Sequence, residues 1–109
     1  MVTIDDLKGR GITKGDERLR DVPEESMGKV WEIIEWARKE IIGFTEAVIR
    51  REGKGYIFEQ LYERIYSRRE SWGIECNTSE AEAILDIMAE FLWLSQKAIV
   101  NAGIIIRMR

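Results

Sequence analysis

The sequence predicts an all-α fold, a three-helix unit with a long first helix and a central apolar third helix that completes its bundle by homo-oligomerisation. Three observations carry that prediction. Apolar residues recur at Met27, Val30, Ile34, Ala37, Ile41, Phe44 and Val48, alternating steps of three and four, which is the seam of left-handed helix packing. The stretch Ser79–Ala102 is apolar around most of its circumference, far beyond the single stripe a surface helix needs. Start and stop signals bracket each run, with Asp21–Glu24 and Ser79–Glu82 as capping boxes and Gly53 and Gly73 as C-terminal stops.

Composition bounds what such a chain can do. At 109 residues it fits one domain with one core. A net charge of −3, with 34% charged residues spread along the chain, is not that of a strongly basic nucleic-acid binder. The chain has no histidine, which removes the usual general base and the usual transition-metal ligand together. Its single cysteine, Cys76, excludes an intrachain disulfide and leaves a reducing cytoplasm as the expected compartment. No basic-then-apolar leader is present, and Asp86 and Glu90 interrupt the longest apolar run, so neither a signal peptide nor a membrane span is expected. Few Asn and Gln beside many Glu, Arg and Ile resemble a heat-adapted composition.

Taken in order, residues 1–20 read as a flexible or weakly ordered N-terminal arm, and residues 21–109 as a single helical domain. Thr3 with Asp6 can cap one or two turns that Gly9 ends. The glycines Gly9, Gly11 and Gly15 suggest a phosphate loop, but no Gly-Lys-Ser/Thr follows and no strand precedes, so the stretch reads as an ordinary loop. The first helix is expected from Asp21, with Pro23 in its first turn, to near Glu52. Thirty residues make ~45 Å, longer than a compact domain accommodates, so it should overhang toward a partner or break at Gly28 or Gly43. The second helix is expected over 56–72, with Ile57, Phe58, Leu61, Ile65 and Trp72 inward and Arg64, Arg68 and Arg69 outward. The short 53–55 connection makes it the antiparallel neighbour of the first. After Ala102, the Gly103 and three isoleucines favour an extended tail.

Along the third helix Glu82, Asp86 and Glu90 form an acidic ladder, and like charges at that spacing destabilise a helix unless something cationic faces them. Arginines of the second helix are the expected partners, and a divalent cation is the alternative. Glu32 and Glu35 supply an E-x-x-E pair on the first helix, and such carboxylates can hold Mg²⁺ without histidine. Glu32-Ile-Ile-Glu35 resembles the first half of the magnesium site in all-α nucleotide pyrophosphohydrolases of the MazG kind. The second half departs from that pattern, because Glu82 and Asp86 are four apart rather than three and a whole helix intervenes. The resemblance implies magnesium held by Glu32, Glu35, Glu82 and Asp86, and pyrophosphate release from a nucleotide. Otherwise no cofactor is expected.

Arg50, Arg51, Lys54, Arg64, Arg68 and Arg69 are the residues that could contact a nucleic-acid backbone, with Tyr62, Tyr66 or Trp72 to stack on bases. Trp31, Trp36, Ile42, Phe91 and Trp93 are the expected oligomer-interface residues, since large aromatics anchor interfaces. The leading functional reading is a small non-enzymatic helical interaction or assembly protein acting as a homo-oligomer. Its partners are expected to be itself and other proteins, with no membrane. A nucleic-acid-associated protein is the alternative, and the magnesium-dependent hydrolase a second one.

Overall fold

The structure, a computed structural model, describes residues 1–51, 58–75 and 78–104. Its helices are α1 (Ile4–Gly9), α2 (Met27–Ile49), α3 (Phe58–Ser71) and α4 (Ser79–Asn101), with 3-10 turns over Glu17–Leu19 and Glu24–Ser26. No strand occurs among the described residues. Helices α2 and α4, 23 residues each, form the central pair. They run in the same direction: Ser26 lies beside Glu80 at one end, and the Thr45 hydroxyl meets that of Ser95 at 2.5 Å toward the other. The seam residues Val30, Ile34, Ala37, Ile41 and Phe44 are buried, and so are Ile84, Ile87, Met88, Phe91 and Ile99 of α4.

Helix α3 packs antiparallel to α2, since Arg64 pairs with Glu40 at 2.9 Å while Arg68 lies over the Trp36 ring. Leu61 and Ile65 point inward, as their spacing requires. The next residue in that line is Arg69, which the sequence places on the outer face and the structure buries completely. Two turns beyond Leu61, Arg69 has no choice of face once Ile65 is inside. Its guanidinium lies 4.0 Å from the Tyr66 ring centroid and donates to the Ile74 carbonyl at 3.4 Å.

The N-terminal twenty residues are where structure and expectation differ most. Thr3 and Asp6 cap α1 reciprocally, as their spacing predicts. Leu7 and Leu19 are then fully buried in the same core as α2 and α4. The segment runs along α4 in the opposite direction. The Asn101 amide donates to the Val2 carbonyl at 2.9 Å, and both Arg10 and Arg18 reach Glu90. On its other side Arg38 donates to the Lys8 and Arg10 carbonyls at 2.6 and 2.8 Å, and Lys8 pairs with Glu46 at 2.5 Å. Much of the apolar circumference of α4 that seemed to need a second subunit is therefore covered by the chain's own N-terminus.

Helix boundaries also move, for identifiable reasons. The stretch after Pro23 forms a 3-10 turn before α2 opens at Met27, and Ser26 at the N-cap makes no side-chain capping bond, so the Asp21–Glu24 pair is not its capping box. Helix α4 is capped one residue earlier than expected, by the Thr78 hydroxyl accepting from the Ala81 N–H at 3.3 Å. Helix α2 passes through Gly28 and Gly43 unbroken and stops at Ile49, where Arg51 takes the left-handed conformation at φ 56°. The expected stop, Gly53, lies outside the described residues. At 23 residues α2 is ~35 Å long, within the 42 Å longest dimension of the molecule, so neither overhang nor break is required. Gly103, at φ 81°, closes α4: its N–H bonds the Val100 carbonyl at 3.0 Å and the Ile104 N–H bonds that of Ile99 at 3.3 Å. The tail expected beyond it lies mostly outside the described residues.

Candidate interaction surface

Helix α4 presents its remaining open face through Glu82, Asp86, Ala89, Trp93, Lys97 and Val100, all exposed and all within one helical stripe. Trp93 is 54% and Val100 57% exposed, an apolar pair seven residues apart on a chain whose other large apolar side chains are mostly covered. The Lys97 ammonium sits 5.5 Å from the Trp93 ring centroid, close enough for a cation–π contact that orients the indole. Glu82 and Asp86 lie at one end of this stripe and Lys97 toward the other.

The acidic ladder is resolved at one rung only. Glu90 receives both Arg10 and Arg18, the latter at 2.7 Å. Arginine faces it, as expected, but from the N-terminal segment rather than from α3. Arg18 is shared: its Nε and Nη2 bond the Asp16 carboxylate at 2.9 and 2.8 Å while Nη1 bonds Glu90. These hydrogen bonds, Asp16 first, raise the pKa of Arg18 and lower that of Asp16 to about 2. The Lys8 hydrogen bond likewise lowers the Glu46 pKa. Glu82 and Asp86 make no ion pair among the described residues; with Glu17, Arg18, Arg20 and Asp21 they line a shallow hollow of about 270 Å³.

The basic residues do not form one phosphate-binding face. Arg69 is buried, so its charge is unavailable to a nucleic-acid backbone. Arg64 is paired with Glu40. Arg68 lies 5.8 and 5.2 Å from the ring centroids of Trp36 and Trp72, both half-buried against the core. Arg50 and Arg51 are exposed at the end of α2, and Lys54 lies outside the described residues. A cleft of about 390 Å³ opens between α2 and α3, floored by Gly43, Phe44, Ala47 and Leu61 and bridged by the Arg64–Glu40 pair.

Of the carboxylates with metal-ligand spacing, Glu32 and Glu35 lie on α2 and Glu82 and Asp86 on α4. Among the described residues no three acidic or cysteine side chains converge where a metal could sit. Of the expected interface residues, Phe91 is in the core between α2 and α4, while Trp31, Trp36 and Ile42 are half-buried against it. Trp93 stands free of the core. Sequence reasoning missed Val100 and Ala89, although both fall on the Trp93 stripe at helical spacing. No helix is long and apolar enough to cross a membrane among the described residues. No known protein family, curated protein or solved structure matches this chain.

Proposed function

We propose that this chain is a small non-enzymatic helical assembly protein that works by associating with itself. The observation that supports this reading is the exposed Trp93–Val100 stripe on α4. A tryptophan more than half exposed on a rigid central helix is costly to leave in water and rewarding to cover, since aromatic burial at a helix face dominates interface energetics. The chemistry around it suits binding rather than turnover. The strongest acid shift, at Asp16, belongs to an ion-pair network that ties the N-terminus to α4. That is a structural role and not a poised general acid or base.

The test is the mass in solution by light scattering, with and without single-stranded RNA or duplex DNA at low salt. Assembly predicts a mass that rises with concentration above the 12.7 kDa of one chain, unchanged by nucleic acid. A nucleic acid that shifts the mass in a salt-dependent way points instead to phosphate binding, through Arg50, Arg51 and Arg64.

A further inference from the structure

We infer that two copies of this chain pair through α4, antiparallel, about a two-fold axis level with Phe91. The inference rests on the self-association reading and names its surface. The α4 stripe is symmetric in one particular sense. Ala89 and Trp93 lie two residues either side of position 91, Asp86 and Lys97 five and six either side, and Glu82 and Val100 nine either side, which lays the Glu82 stem along the partner's Val100. A two-fold axis there seats each Trp93 on the small Ala89 of the other copy. It also places each Asp86 opposite the partner's Lys97. Charge decides the direction: acids at one end and a lysine at the other repel like ends in a parallel pair and attract in an antiparallel one.

Three features of the fold leave this stripe ready for such a partner. Asp86 and Lys97 make no ion pair among the described residues, and the Lys97 ammonium lies over the Trp93 ring of its own helix, beside the proposed anchor. Glu90, the other acid nearby, is already neutralised by Arg10 and Arg18 and does not add repulsion. The N-terminal segment covers the flank of α4 beside Glu90 and borders the hollow at Glu82 and Asp86, while Ala89, Trp93, Lys97 and Val100 stay exposed beyond it. A C2 contact of this kind uses the same patch on both subunits, so every substitution acts twice.

Sedimentation equilibrium on the full chain tests it with four variants, each checked for helicity by circular dichroism. Asp86→Lys and Lys97→Asp are each expected to raise the dimer dissociation constant about tenfold, because an attractive exposed pair becomes a repulsive one at two symmetric places. The Asp86→Lys/Lys97→Asp double variant restores attraction and is expected within about threefold of the parent. Trp93→Ala removes the central anchor and is expected to weaken pairing about thirtyfold. A double variant no tighter than the singles, or an unaffected Trp93→Ala, in a chain that still self-associates overturns this surface while leaving the assembly reading in place. A parent chain that stays monomeric overturns both.

Discussion

Thr45 and Ser95 place two fully buried hydroxyls in the α2–α4 contact, toward the C-terminal ends of both helices. Neither is an isolated polar group: Ser95 is within 2.5 Å of Thr45, whose hydroxyl in turn donates to the Ile41 carbonyl one turn back at 2.6 Å. Satisfied in this way, the pair fixes the register of the two helices at little cost. Thr45→Val leaves the buried Ser95 hydroxyl without its partner and is expected to cost ~1–3 kcal/mol. Adding Ser95→Ala should return part of that loss, so urea denaturation of the two singles and the double should show a sum larger than the double. Asp16 is the residue-scale control of acid stability. Its pKa is held at about 2 by Arg18, below its value in the unfolded chain, so its contribution is complete above roughly pH 4 and is lost as pH falls toward 2. Asp16→Asn is therefore expected to flatten that part of the stability–pH curve, and an unchanged acid limb would deny the network its role.

At the scale of elements, the N-terminal segment decides how α4 is solvated. Leu7→Ala should cost ~2–5 kcal/mol in denaturant titration, the range for a buried leucine in a well-packed core, whereas a detached arm would lose almost nothing. The seam of α2 and the apolar bulk of α4 were legible in the sequence because long amphipathic runs announce their period. So was the need for a cation opposite Glu90, though not its source. Leu7 and Leu19 were not legible: each stands with one apolar neighbour three residues away, Ile4 or Val22, in runs too short to show a period, and only tertiary contact reveals that both reach the core. Arg69 was missed for the opposite reason. Its place in the Leu61–Ile65 line was visible, but an arginine reads as outward until a ring and a carbonyl are found to receive it. The open stripe was half legible, since Trp93 was expected at an interface and Phe91, two residues away, proved to face the core.

For the whole molecule, the bundle closes without a second subunit. Helix α2 and the N-terminal segment cover much of α4, α3 packs on α2, and the side of α4 left open carries Trp93 and Val100. The first argument for oligomerisation, that α4 has more apolar surface than one chain can cover, is answered by α1 and the turn at Glu17–Leu19. What survives is narrower, a single stripe with an acid at one end and a base at the other. Self-association through such a stripe should be concentration-dependent rather than obligate, with a folded monomer at high dilution. The most direct measurement is sedimentation equilibrium of the unmodified chain from low to high micromolar concentration. Pairing through α4 predicts a mass rising from 12.7 kDa toward twice that value, and a mass fixed at that of one chain across the range would rule such pairing out.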